Sequence, residues 1–458
     1  MRRFAILAIL AFPGLLACQD GPPAALPGVP PSEAAASITE ADFLEKVWVI
    51  AHDSMMGRAN PSPGLDMTAQ WIAEEFEKYG LEPGGGDGTF IQKYRVREMA
   101  PDFDASSAQV TGGSALAFGT DLNFMRASGG GEATGTVVVL AGNLAAAQDL
   151  PQEQFAGKHV IVVPAAAPPQ SGRRRIRTPS GLTSAGPASV IFVDQSSDED
   201  WQAAVESSRN RRQRILPWSD ASGGGLPMLN IRQSSLEPLL AAHGVQLSQL
   251  MAGGSGEAAA IDLEELEITL TTATQELEGF DMPNSVGILE GSDPELKNEY
   301  IVFSGHMDHV GVGRPNEEGD SIRNGADDDG SGTIAVVELA EAFAMMAEPP
   351  KRSMVFLAVS GEESGLWGSR YYAENPTIGP GEMVANLNAD MISRNAPDSI
   401  VVIGKEHSDL GEAMNRVNNE HPELGLTAAD DIWPEQNFYR RSDHFNFARR
   451  GVPVLFFF

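Results

Sequence analysis

The sequence predicts an α/β protein: a central mixed, largely parallel sheet with helices on both faces, plus a β-rich inserted domain. Three observations lead there. After Ala258, short apolar runs of the buried-strand type alternate with stretches of helical period. Polar clusters of His, Asp and Glu directly follow those runs, where an open α/β sheet gathers its functional groups. Between Gly113 and Gly256 the texture changes to short β-rich runs separated by glycine-rich and arginine-rich loops.

Taken in order, the chain opens with Arg2 and Arg3, a 14-residue apolar stretch from Phe4 to Ala17, and then Cys18. A charged start and a short apolar run make an export signal, and the run is too short to span a bilayer as a mature helix. Leu15-Leu16-Ala17-Cys18 resembles the lipobox of bacterial lipoproteins, whose cysteine is lipidated and becomes the mature N-terminus. That resemblance implies a domain in a bacterial cell envelope, lipid-anchored through Cys18 and facing the periplasm or the exterior; the alternative is a plain signal peptide with a chance cysteine. Residues 19–37, rich in Pro, Ala and Gly, read as a linker off the membrane.

A helix follows, capped near Ser37 or Thr39, with Phe43, Leu44, Val47 and Ile50 on one stripe; a second runs from about Asp66 to Tyr79 and stops at Gly80. These open a main domain expected over residues 38–112 and 258–458, with the insert over 113–257. Strands of the insert are expected at Thr136–Leu140, His159–Val163, Ser189–Val193 and Met228–Ile231. In the main domain, strands are expected at Tyr300–Ser304, Ser353–Ser360, Ala385–Ala389, Ser399–Ile403 and Val452–Phe458. Helices are expected at Thr333–Ala347 and at about Ser408–Asn419.

Composition narrows the functions. The 458 residues hold 32 Lys+Arg against 63 Asp+Glu, a formal charge of -31 that repels phosphate backbones and argues against nucleic acid as a partner. Cys18 is the sole cysteine, so neither an intramolecular disulfide nor a thiolate zinc site can form.

Five polar clusters sit at or near strand ends: His306-Met307-Asp308-His309, Asn324 to Gly332 with Asp327-Asp328-Asp329, Glu362-Glu363, Asp390-Met391, and Ser442-Asp443-His444. Each alone is unremarkable, since Glu-Glu and Asp-Asp-Asp are common on exposed surfaces. Together they supply imidazole and carboxylate, the hard and borderline donors that suit a zinc or cobalt pair. Two metals about 3.5–4 Å apart activate a water and polarise a carbonyl, while a nearby carboxylate moves the proton, which is what amide hydrolysis requires.

As an ordered set, these motifs resemble those of the co-catalytic di-zinc aminopeptidases of peptidase family M28, and Met56-Gly57-Arg58 belongs to the same resemblance. It implies that Asp328 bridges two zinc ions, one also held by His306 and Asp390, the other by Glu363 and His444. Choosing Asp328 over Asp327 or Asp329 rests on the family pattern. The resemblance further implies Asp308 behind His306 as its orienting carboxylate and Glu362 as general base. Cobalt or manganese would accept the same ligands. The insert is similar to the protease-associated domain, with Gly157 to Val163 and Ala185-Gly186-Pro187-Ala188 as signposts.

The expected substrate is the N-terminus of a peptide or protein. A carboxypeptidase or dipeptidase of the same fold, a single-zinc glutaminyl-cyclase-like enzyme and a non-catalytic binding module are the rivals. Tyr439 or a backbone amide could serve as an oxyanion donor, and Arg440 or Arg441 could meet a substrate carboxylate or make a surface salt bridge. His309 is expected to line the cleft or be exposed; His52, His159, His243, His407 and His421 to serve packing or surface. The basic runs Arg173-Arg174-Arg175 and Arg209-Asn210-Arg211-Arg212 are read as solvated loops of the insert.

Overall fold

A computed structural model describes residues 26–125, 131–144, 150–164, 182–218, 226–252, 257–394 and 396–458. The leader with Cys18, the first part of the linker and the Arg173 to Arg175 run lie outside these residues. The chain divides into two compact units, one comprising residues up to Tyr94 together with Met282–Phe458, the other Arg95–Asp281. The insert is thus longer at both ends than the expected 113–257. Two long strands account for the difference: Ile91–Val110 carries the chain in, Ala259–Leu289 carries it out, and the two pair with each other. Each crosses the boundary without a break in its strand pattern, so composition gives no sign of the change.

Across the sheet of the first unit the strands run Thr427–Ala429, Ser399–Ile403, Val454–Phe457, Glu382–Ala389, Glu299–His306, Ser353–Val359, the end of Ala259–Leu289, and Glu82–Pro83. The four from Val454–Phe457 to Ser353–Val359 are mutually parallel, and antiparallel partners flank them. This is the mixed, largely parallel sheet the alternation predicts. Register pairs His306 with Val359 and Ser304 with Asn388, so three parallel strands end level with one another.

Both faces are covered. On one, Phe303 stacks on Phe356 at 5.6 Å between centroids, and Phe343 and Phe76 close over them from the helices Gly330–Ala344 and Pro63–Lys78. Strand alternation turns Val302, Val355 and Leu357 to the other face, where they pack with Tyr372 and Phe447 from the helices Trp367–Glu374 and His444–Ala448. Each such buried Phe or Leu contributes about 1.5–3 kcal/mol.

The helix Glu40–Ile50 departs from its expected stripe: Ile50 is buried but Leu44 is 48% exposed. Lys46 faces inward instead, its Nζ 2.8 Å from Glu338 and 2.7 Å from Glu341 of the Gly330–Ala344 helix. A pairing partner on the neighbouring helix outweighs the preference of lysine for water. The Gly330–Ala344 helix itself starts three residues earlier than expected. A Cβ on Gly305 would fall 2.8 Å from the carbonyl carbon of Gly332. The glycines that read as loop are what let this helix start lie directly on the His306 strand.

In the second unit the order is Leu122–Phe124, Met228–Arg232, Ser189–Asp194, His159–Val162, Gly131–Ala141 and the first half of Ala259–Leu289. The inner four are joined in parallel, with antiparallel partners at the edges. The helices Asp198–Arg209 and Gln233–Ala242 bring Trp201, Val205, Leu236 and Leu240 into a core with Val137, Val139, Ile161 and Ile191. His159 is buried, its ring nitrogens 2.8 Å from Ser189 Oγ and 2.9 Å from the Ile268 carbonyl. Arg209 lies over the Phe103 ring at 4.2 Å and Arg211 donates to the Met125 carbonyl, so this basic run is partly built into the unit.

Candidate metal centre

His306 ends its strand and is 1% exposed. Its Nδ1 lies 3.1 Å from the backbone oxygen of Asp308, which turns Nε2 towards Asp328 Oδ1 at 3.4 Å, Asp390 Oδ1 at 3.7 Å and Glu362 Oε2 at 4.0 Å. A second group forms beside it: His309 Nδ1 stands 2.8 Å from Glu363 Oε1 and 3.9 Å from Asp328 Oδ1. Within each of the groups His306–Asp328–Asp390 and His309–Asp328–Glu363, one ligand atom per residue lies within 4.8 Å of the others. Asp328 is common to both.

Short backbone turns hold these side chains. Asp329 is buried and accepts from three amides, Gly332 at 2.8 Å, Met391 at 3.1 Å and His306 at 2.9 Å, which ties the turns of Asp328, Asp390 and His306 together. Asp308 spends its carboxylate on the amides of Glu362 at 3.2 Å and Glu363 at 3.3 Å and on the side-chain amide of Asn60. Its nearest approach to the His306 ring is 3.6 Å. The expected orienting role towards His306 therefore falls mainly to the Asp308 backbone oxygen, and its side chain positions the Glu362-Glu363 turn.

The Ser442-Asp443-His444 segment divides its work. Ser442 Oγ donates to Asp390 Oδ2 at 2.7 Å, and the Asn388 side chain donates to the same hydroxyl at 3.0 Å. His444, expected at the second metal, belongs to neither group. It begins the helix His444–Ala448, its ring stacks on Phe456 at 4.5 Å, and its Nε2–H donates to the Tyr439 carbonyl at 2.9 Å. Burial pulls its pKa down to about 3, so the imidazole is neutral. Tyr439 packs on His407 and His444, while Arg440 and Arg441 lie over Phe445 and Phe438.

The electrostatics are those of crowded carboxyls. Burial opposes a charge on His306, but Asp390, Asp308 and Asp328 outweigh it and hold its pKa well above the ordinary imidazole value. Burial pushes Glu362 up to about 9, with Asp443, Asp390 and Asp308 adding to the rise and His306 opposing it. Burial likewise takes Asp443 up to about 7. Asp390 Oδ1 and His309 Nδ1 are buried and make no hydrogen bond; the 2.8 Å approach of His309 to Glu363 is close in distance but not aligned as one. Orphaned donor atoms among mutually repelling carboxylates are what divalent cations satisfy, and imidazole with carboxylate suits zinc. The residues present fit zinc.

Residues 284–458 match the model of peptidase family M28. The chain is 29% identical over 237 residues to leupeptin-inactivating enzyme 1 of Streptomyces exfoliatus, covering 50% of this chain and 48% of that one. It is 34% identical over 140 residues to a probable zinc metalloprotease of Pyricularia oryzae, covering 29% of this chain and 27% of the relative. The chain thus spans half or less of the length of these relatives. Among solved structures, the aminopeptidase from Aneurinibacillus sp. strain AM-1 aligns over 93% of this chain and 86% of its own, at 17% identity and a TM-score of 0.46.

Proposed function

We propose that this protein is a zinc-dependent peptide hydrolase with a two-metal centre, acting as an aminopeptidase on the N-termini of peptides or proteins. One observation carries the reading: two three-residue ligand groups share Asp328, and the carboxyl of Glu362 stands beside them. His306, Asp328 and Asp390 would hold one metal. Asp328 and Glu363 would hold the other, with His309 as the imidazole in the role the sequence resemblance gives to His444. Zinc bound there would supply Lewis-acid polarisation of the scissile carbonyl and a lowered pKa for water.

The chain's own groups do the rest. Glu362 takes the proton of the attacking water and passes it to the leaving amine. With its pKa pushed up to about 9 by burial and neighbouring carboxylates, it is a proton holder until positive charge in the centre lowers that value. Asp308 holds the Glu362 and Glu363 amides, which fixes the base against the ligand set.

The test is metal content of the purified chain with hydrolysis of aminoacyl and N-blocked peptides before and after chelation. Two metals per chain and chelator-sensitive release of N-terminal residues support the reading. Release from the carboxyl end would assign a carboxypeptidase, one metal with cyclisation of N-terminal glutamine a cyclase, and no metal with no turnover a binding module. The likeness of the insert to a protease-associated domain rests on the Gly157 to Val163 and Ala185 to Ala188 signposts. Placement in the bacterial envelope rests on the Leu15 to Cys18 resemblance; Cys18→Ser should release the protein from membranes, and an unchanged membrane fraction would refute the anchor.

A further inference from the structure

The segment from Asp53 to Asn60 lies far from the metal-centre motifs in sequence and outside the matched residues 284–458, yet it runs among the turns that carry the ligands. Arg58 is fully buried, and its guanidinium donates to four backbone oxygens: Nε to Met307 at 2.7 Å, Nη1 to Ile50 at 2.8 Å and to Asn324, and Nη2 to Gly325 at 2.8 Å. Its own carbonyl accepts the His309 amide at 3.1 Å. Two residues on, the Asn60 side chain donates to Asp308 Oδ2.

Apart from Ile50, which ties Arg58 to the helix Glu40–Ile50, these partners lie in the turns that carry the ligands. Met307 lies between His306 and Asp308, Asn324 and Gly325 lead into Asp327-Asp328-Asp329, and Asp308 holds the Glu362-Glu363 turn. A hydrogen bond to a carbonyl fixes the plane of that peptide, and with it the direction of the adjoining side chains.

The backbone supplies an independent sign. Met56 and Arg58 hold φ of 50° and 52° with Gly57 at 65° between them, and left-handed conformations in non-glycine residues persist only where surroundings enforce them. Gly57 has no room for a side chain: a Cβ would fall 2.9 Å from Gly311 Cα and closer still to the Arg323 carbonyl.

We propose that Arg58 and Asn60 are positioning residues of the metal centre. Arg58 sets the peptide planes that aim His306, His309 and Asp328, and Asn60 holds Asp308 so that Asp308 can hold Glu362. Burial pulls the guanidinium down to about 10, with Asp308, Asp329, Asp328 and Glu363 opposing the fall, so it stays charged at neutral pH beside those carboxylates. Removing partners behind metal ligands typically costs 10–100-fold in metal affinity or activity.

The inference rests on the metal-centre reading, and the experiment separates the two. Zinc dissociation constants would be measured by chelator competition for the wild type, Asn60→Ala and Arg58→Lys, together with kcat, KM and melting temperature. Asn60→Ala should keep two metals and its melting temperature while kcat falls about tenfold or more at unchanged KM. Arg58→Lys keeps the charge but cannot reach four carbonyls, so its zinc binding should weaken about tenfold or more. Wild-type kcat and zinc affinity in Asn60→Ala would overturn the proposal, even if Arg58→Lys failed to fold. A wild-type chain that binds no zinc would overturn the metal-centre reading itself.

Discussion

Gly332 is a sharp place to test how the centre is held. It lies in the first turn of the Gly330–Ala344 helix, against the end of the strand that leads into Asp390. In Gly332→Ala the added methyl would stand 2.6 Å from the Ala389 carbonyl carbon and well inside contact with the Ala389 oxygen and Asp329 Oδ1. Two of those atoms are backbone, and Asp329 is pinned by three amides, so no flexible side chain can yield. Relieving about 1 Å of overlap by backbone movement costs about 1–3 kcal/mol. Loss of the Asp329 cap adds about 1 kcal/mol. With a slope of about 1–3 kcal/mol per molar urea, the unfolding midpoint of this unit should fall by roughly 1 M. Because the displaced atoms lead into Asp328 and Asp390, zinc affinity should fall as well. Gly131→Ala is the control, since its Cβ would meet nothing within 4 Å, and it should stay within about 0.5 kcal/mol of wild type. A Gly332→Ala protein with the wild-type midpoint and zinc affinity would refute the claim that this close approach locks the centre.

Two further predictions follow from the geometry. Glu362→Gln should lower kcat by about 10²–10⁴ while metal analysis still finds two ions, and retained turnover would remove Glu362 as the base. His159 is held below its ordinary pKa by burial, against opposing backbone hydrogen bonds. Its stabilising contribution is therefore full above the unfolded value near 6.5 and erodes as pH falls, because only the unfolded chain takes up the proton, at up to about 1.4 kcal/mol per pH unit. Urea midpoints at successive pH values should decline less steeply below pH 6.5 for His159→Asn, and parallel curves would exclude His159 as a source.

Much of the fold is legible in sequence because strands buried in the sheet are continuous apolar runs: Ser399–Ile403 is found residue for residue, and Ser353–Val359 within one. What sequence hides is non-local. The glycines of Gly330-Ser331-Gly332 read as loop, and only the strand packed beneath them explains why a helix starts there. The structure brings His306, Asp328, Glu363 and Asp390 together where strand-end clustering points, with His309 beside them and His444 outside the two groups. His309 is drawn in by a backbone bond to Arg58, about 250 residues earlier. The His444 ring stacks on Phe456 of the last strand. No local pattern records either contact. Asn60 and Asp329 are missed for the same reason, since their importance lies in what they hold.

The two crossings between the units stand side by side. Arg95 Nη1 lies 3.4 Å from Asp281, and a Cβ on Gly279 would touch Arg97 Cα at 2.9 Å. A chain that leaves and returns at one point costs little loop entropy to close. Every residue assigned to the centre, from Arg58 to Ser442, lies outside Arg95–Asp281. The second unit is thus one continuous insertion with a single seam: a short turn from Tyr94 to Met282 in its place should leave the two ligand groups of the first unit intact.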